Sequence, residues 1–310
     1  MPSPQEKISR LIKDKASHLG FGACGIVKAT RLEQESAYLR DWLKKGYQAG
    51  MGYMNRNIDK RSDPRLLNDW ARSLIIFTHN YYPEDSSLSE GKYKIARYAY
   101  GRDYHFVLKG KLQKIVDVIE DEIGSITARI FVDSAPVLEK AWASRAGLGW
   151  IGKNACLINR KNGSYFFIGS ILTDLELIYD EVNEQDHCGN CSRCIDACPN
   201  NAIIAPGVID SNKCISYLTI EHKGEFDPQQ ATQLHGWIFG CDICQEVCPF
   251  NRFSIPHNEP RFLPEKELLE MNDSDWENLQ EEKFRSLFNG SPVERTGFEG
   301  LKRNINQMDR

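Results

Sequence analysis

Eight of the ten cysteines in this 310-residue chain fall between Cys188 and Cys248, and their spacing points to a particular chemistry. Cys188-x2-Cys191-x2-Cys194-x3-Cys198-Pro199 is the full bacterial ferredoxin run. The second group, Cys241-x2-Cys244-x3-Cys248-Pro249, keeps the last three positions of that run, with Ile238 where its first cysteine would stand. Cys214, between the groups, is the natural substitute. In such runs the short x2 turns let three neighbouring thiolates converge on one cubane cluster, and the cysteine before proline ligates the other cluster. The spacing therefore assigns Cys188, Cys191, Cys194 and Cys248 to one 4Fe–4S cluster, and Cys198, Cys214, Cys241 and Cys244 to a second. Structural zinc usually takes separated CxxC pairs and fits a third x2 cysteine and a Cys-Pro poorly. Cys24 and Cys156 lie outside the pattern and read as buried small side chains.

Away from the cysteines, Ile130-Phe-Val-Asp133-Ser-Ala-Pro136 places a carboxylate where a strand gives way to a helix. The ordinary use of Asp or Ser there is to cap the helix, with Pro136 in its first turn. The functional alternative is a general acid whose pKa is raised in an apolar pocket. A basic stretch also needs weighing: Lys92, Lys94, Arg97, Arg102, Lys109, Lys111 and Lys114 face only Asp103 over residues 91–114, with Tyr93, Tyr98, Tyr100 and Tyr104 between them. Cations interleaved with aromatics suit phosphates and unstacked bases. They equally suit a solvated helix face over core tyrosines. At a pI near 6.0, any nucleic-acid surface must be local.

Three motifs fail on context. Gly147-Leu-Gly149-Trp-Ile-Gly152 matches GxGxxG, but it follows a helix and leads into a strand, the reverse of a dinucleotide site. Gly147 to Lys153 imitates a P-loop, with Asn154 where a hydroxyl should meet magnesium. These glycines permit close approach of a neighbouring element or a flat ligand. Asp103-Tyr-His105-Phe-Val-Leu108 departs from the cobalamin signature Asp-x-His-x-x-Gly at Leu108, so His105 reads as a helix-face histidine.

The positioning elements follow from periodicity. Helices are expected over residues 4–19, 32–45, 104–123 and 137–146, and strands over 23–27, 73–78 and 127–132. Residues 156–159 and 165–172 should pair as a hairpin through the Asn162-Gly163 turn. Composition excludes disorder and membrane spans: 41% hydrophobic residues, 26% charged, net charge -4 and no run near 18 apolar residues. The N-terminus shows no export signal, so the expected setting is the reducing cytosol. The fold class is α+β. Residues 1–177 form the substrate domain, 178–255 the ferredoxin-like two-cluster domain, and 256–310 an acidic helical tail packed on the body.

The combination of Arg61, Tyr100-Gly-Arg-Asp-Tyr-His105, Val132-Asp133-Ser134, Arg145-Ala-Gly-Leu-Gly149, Gly152-Lys-Asn154, the cysteine groups and Arg295-Thr-Gly-Phe-Glu-Gly-Leu-Lys-Arg-Asn304 resembles the epoxyqueuosine reductases. Many longer members continue into HEAT-like repeats, whereas this chain stops at Arg310, so tRNA contacts would come from the core. The resemblance implies a nitroreductase-like cobalamin-binding domain, related to the core of reductive dehalogenases, followed by the two-cluster domain. It implies a cytoplasmic enzyme that deoxygenates epoxyqueuosine to queuosine at the wobble position of tRNA, with cobalamin fed by the clusters. Asp133 then matches the proton donor, which reverses the preference for a cap. Arg61, Tyr98, Gly152, Lys153, Asn154 and Ser216 are the expected cofactor-side residues; Arg97, Arg102, Lys140 and Arg145 the expected tRNA contacts. A separate electron donor protein is implied, and the chain is taken as a monomer with no membrane association. The alternatives are a small-molecule reductive dehalogenase and a bare electron-transfer module. The second would not require a large domain ahead of its clusters.

Overall fold

The computed structural model describes residues 2–181, 186–227 and 234–308. Its centre is an antiparallel sheet built from β1 (Ala23–Lys28), β2 (Ser73–Asn80), β4 (Ala128–Phe131) and β7 (Phe166–Thr173), in the order β1-β2-β7-β4. Strand β2 reads as an uninterrupted apolar run because both of its faces are covered. Ile75 and Phe77 point into one core with helices α1 (Pro4–His18) and the later α4 (Tyr104–Ile123); Leu74 and Ile76 point into another, facing α5 (Glu139–Arg145). Alternation along one strand thus feeds two helical layers.

The helices form where their caps and stripes dictate. Ser3 and Glu6 make a capping box at the start of α1, with Pro4 in its first turn. Asp103 caps α4 by accepting the His105 N–H, and Val107, Leu108, Leu112, Ile115, Val116 and Ile119 are its buried stripe. Helices α2 (Glu33–Lys44) and α3 (Ile58–Ser62) flank the chain's approach to β2.

The hairpin expected from Asn162-Gly163 takes another form. Strand β6 (Leu157–Ile158) pairs with β5 (Trp150–Ile151), and β7 instead joins the central sheet between β2 and β4. The Asn-Gly turn closes only the bridge between Asn159 and Gly163. The long apolar strand gains more by burial on both faces than by a short hairpin. The glycine-rich segment serves this β5–β6 unit: a Cβ on Gly149 would stand 2.2 Å from the Ile158 carbonyl oxygen, and one on Gly152 2.3 Å from Ile158 Cδ1. A neighbouring element, not a flat ligand, is what those two glycines admit.

The cysteine segment carries β8 (Ile203–Ala205) paired with β9 (Val208–Ile209), and helices α6 (Arg193–Asp196), α7 (Ile215–Ile220) and α8 (Ile243–Glu246). It is stitched to the first 177 residues. Strand β10 (Trp237–Phe239) pairs in parallel with β3 (Lys94–Ile95), Trp42 Nε1 donates to the Ile209 carbonyl at 2.7 Å, and Tyr217 Oη accepts from the Gly50 N–H at 2.8 Å. Helices α9 (Lys266–Leu269), α10 (Asp273–Glu277), α11 (Glu281–Phe288) and α12 (Gly297–Asn306) follow. Leu268, Trp276, Phe284, Phe288, Leu301 and Ile305 build a further core with Tyr93, Ile95, Tyr100, Ile238 and Phe239. Among the described residues no helix is long and apolar enough to cross a membrane.

Candidate redox and acid site

Seven of the eight cysteines fall into two mutually interacting groups. Cys188, Cys194 and Cys248 act electrostatically on one another. Cys198, Cys214, Cys241 and Cys244 do the same among themselves. Burial raises the Cys194 thiol to about 11 and pushes Cys241 higher still, and in both cases neighbouring sulfurs add to the rise. Thiols that resist ionisation unless positive charge is placed among them form a donor set suited to iron. Directed donors reach the sulfurs. Trp150 Nε1 lies 3.4 Å from Cys188 Sγ, the Ala202 N–H 3.2 Å from Cys198 Sγ, and the Ser216 and Tyr217 N–H groups and the Ser216 hydroxyl turn toward Cys214.

Four residues expected beside a corrin sit on the cysteine side of the molecule. Lys153 Nζ donates to the carbonyls of Gly189 (2.7 Å) and Cys191 (2.9 Å), pinning the loop between the first two cysteines. Asn154 Nδ2 donates to the Cys244 carbonyl at 3.2 Å, while its Oδ1 accepts the Cys156 N–H. Gly152 closes the turn onto Cys156 through its N–H, and Ser216 faces Cys214. Cys156 lies close to Cys244, and together with burial it pushes the Cys244 thiol well above its ordinary value. No spacing rule could have found it. Beside Cys248 a cleft of about 880 Å³ opens to solvent, lined by Tyr82, Tyr165, Arg193 and Arg252 among others.

Asp133 follows β4 with φ of 51°, in the left-handed region. It caps nothing, because α5 begins at Glu139 behind an N-cap at Leu138. Nor is it enclosed in an apolar pocket: the residue is exposed. Tyr104 Oη donates to Asp133 Oδ2 at 2.7 Å, and the Asp133 N–H donates to Glu139 Oε2 at 2.9 Å. Tyr104 is fixed by parallel stacking on Phe167, with ring centroids 4.2 Å apart. Glu139 Oε1 is buried with no hydrogen-bond partner among the described residues, and the buried Ser170 hydroxyl is likewise unpaired. Burial, then the nearby Asp133 charge, lifts the Glu139 carboxyl to about 8.

Tyr53, Arg61, Tyr98 and Arg295 all lie within electrostatic reach of Asp133. Arg61 donates to the Tyr53 and Arg56 carbonyls. Tyr98 also packs on the cluster of Ala96, Ile215 and Trp237 against which Cys241 lies. Tyr53, Glu139 and Glu221 carried no motif signal; they are found only because the fold brings them here. The C-terminal motif closes the arrangement. Arg295 pairs with Glu221 at 2.6 Å, Asn304 Nδ2 donates to the Thr219 and Ile238 carbonyls, and Arg303 grips those of Leu218, His222 and Gly224.

Much of the basic stretch serves the fold. Arg97 is 10% exposed and paired with Asp242 (3.2 Å) and Glu246 (2.6 Å), so it is no tRNA surface. Lys111 lies against Glu259 and His79, and Lys92 pairs with Glu277. Arg145 makes a two-pronged contact with Glu35, and Lys140 bonds the Ala155 carbonyl. Arg102 is exposed and bonds only the Asn289 carbonyl. His105 is tied to Asp103 at 2.6 Å.

Paired cysteine runs folded against an α+β domain that presents an acid beside tyrosines define an iron–sulfur reductase. Residues 187–251 match the family described as 4Fe-4S double cluster binding domain, and residues 61–134 that described as Epoxyqueuosine reductase QueG, DUF1730. An epoxyqueuosine reductase of Cellulophaga algicola is 52% identical over 301 residues, 97% of this chain and 98% of that protein. The chain belongs to the epoxyqueuosine reductase family. A solved epoxyqueuosine reductase carrying an epoxyqueuosine-modified tRNA-Tyr stem loop superposes with a TM-score of 0.89 at 27% identity, covering 97% of this chain and 80% of that one. The Bacillus subtilis enzyme, captured with its catalytic aspartate loop swung out of the active site, gives 0.88 at 27% identity, covering 97% and 81%.

Proposed function

We propose that this chain reduces epoxyqueuosine to queuosine at the wobble position of tRNA, the last step of queuosine synthesis, using two 4Fe–4S clusters and cobalamin. The observation that carries it is Tyr98, packed on the same Ala96–Ile215–Trp237 cluster as Cys241 and within electrostatic reach of Asp133, in a chain that matches this family over 97% of its length. Removing the epoxide oxygen as water takes two electrons and two protons. Asp133 stands exposed and would give that oxygen one proton, the second coming from solvent, and Tyr104 orients its carboxyl.

The residues around Asp133 fit a corrin through their donor set. The half-buried Tyr53, Arg61 and Tyr98 and the exposed Arg295 would supply hydroxyl and guanidinium groups for amide edges, and a nitroreductase-like domain would frame them. Bound there, reduced cobalamin supplies a strong nucleophile for an epoxide carbon, and the clusters supply electrons singly. Cys188, Cys191, Cys194 and Cys248 would hold the cluster nearer the solvent cleft, where a donor protein delivers electrons. Cys198, Cys214, Cys241 and Cys244 would hold the one nearer Asp133. Exposed Arg102 and Lys140 remain as tRNA contacts. The enzyme is proposed to act in the cytoplasm as a monomer.

Anaerobic incubation of the reduced protein with cobalamin and epoxyqueuosine-bearing tRNA, read by nucleoside analysis, tests this. Queuosine should form only with cobalamin present. Equal conversion without it, or none with both cofactors loaded, overturns the reading.

A further inference from the structure

Asp133 holds an unfavourable backbone conformation at an exposed position, so something must hold the loop in place. Two contacts do so. The Tyr104 bond grips the carboxylate itself, the group that must be free to meet a substrate oxygen. The Glu139 bond grips the main chain instead: Oε2 accepts the Asp133 N–H at 2.9 Å and leaves the acid's side chain untouched. Glu139 is the first residue of α5, and Trp142 and Ala143 of that helix are fully buried, so its carboxyl is anchored in the core. Its other oxygen is buried near the Ser170 hydroxyl, so the bond to the Asp133 N–H ties the loop to a carboxyl held inside the fold. The Bacillus subtilis relative, seen with its catalytic aspartate loop swung out, shows that such a loop has a second position in that protein.

We propose that Glu139 is a positioning residue that latches the Asp133 loop in its inward position by accepting the Asp133 N–H, so that the carboxyl can leave Tyr104 for the substrate without the loop opening. The proposal rests on the reading of Asp133 as proton donor, and its test is independent of turnover. The paired variants Glu139→Gln and Glu139→Asp separate reach from the carboxyl group. The first keeps an oxygen acceptor at the same length; the second keeps the carboxyl and withdraws the acceptor by one methylene.

Hydrogen–deuterium exchange of the segment 132–138 in the cluster-loaded protein should match wild type for Glu139→Gln. For Glu139→Asp it should speed up about tenfold. The kcat on epoxyqueuosine tRNA should then be about 100-fold lower for Glu139→Asp than for Glu139→Gln, the scale on which misplacing a catalytic group acts, with KM unchanged. Faster exchange in Glu139→Gln than in Glu139→Asp, or exchange unchanged in both, overturns the latch. If wild type reduces epoxyqueuosine while exchange is unaltered, the latch alone fails. If exchange behaves as expected and wild type makes no queuosine, the functional reading fails and the latch stands.

Discussion

The cysteine region and the Asp133 region are held by opposite means. Around the cysteines, long side chains grip main-chain carbonyls: Lys153 those of Gly189 and Cys191, Asn154 that of Cys244, Arg303 and Asn304 those around α7. Backbone so fixed keeps sulfur positions constant, as electron transfer over set distances needs. Asp133 sits on an exposed, left-handed turn held by two hydrogen bonds. Local stability of that kind is at the low end of what a fold contains. The cysteine side is held at many points, and the Asp133 turn at few.

The largest test of this contrast is Cys214→Ser. Removing a thiolate from the more buried set should abolish activity and lower bound iron to about half, since each cluster carries about four irons. Iron that stays at wild-type level would remove Cys214 from the ligand set. Asp133→Asn should act on the other region alone. With iron and the visible spectrum unchanged, kcat should fall about 100- to 10,000-fold, the usual contribution of a general acid. Full activity would end the acid role.

The two regions also differ in how far the sequence reveals them. Ligand spacing is local, so the cysteine sets could be written down from the chain, including the displaced Cys214. The helices of the first domain follow equally directly from caps and stripes. What surrounds Asp133 comes from residues 53–61, 98–104, 133–139, 221 and 295, and no spacing rule links them. Lys153 and Asn154 show a different limit: their segment was legible, but their partners were not, because a lysine that reaches a carbonyl across the fold looks like any other. Arg97 was misjudged for a related reason, since burial beside Asp242 is a tertiary fact. The β7 hairpin failed because burial on both faces outweighed a good turn.

A smaller effect is expected at the clamp on α7. Asn304 is fully buried and donates to the Thr219 and Ile238 carbonyls. Asn304→Leu leaves the Ile238 carbonyl without this donor, at a cost of about 1–3 kcal/mol, and the Thr219 carbonyl with the Thr296 hydroxyl. Anaerobic thermal unfolding should fall by several degrees, with iron lost earlier in the scan than from wild type. An unchanged midpoint would mean that Arg303 and the Arg295–Glu221 pair hold α7 without it.

The finest distinction is one of pH. Burial and the Asp133 charge raise the Glu139 carboxyl from its ordinary 4.5 to about 8, so the folded chain favours the neutral form. A raised carboxyl contributes stability that is complete below about 4.5 and is lost as pH climbs through about 8. Glu139→Gln has nothing to ionise there. Its thermal midpoint relative to wild type should therefore improve from about pH 5 to about pH 8 and level off above that, while Cys214→Ser, whose lesion lies among the cysteines, keeps the wild-type dependence. A gap between Glu139→Gln and wild type that does not change with pH would mean that Glu139 ionises as freely as in solvent. The Asp133 turn would then lose the buried acid that sets it apart from the cysteine side.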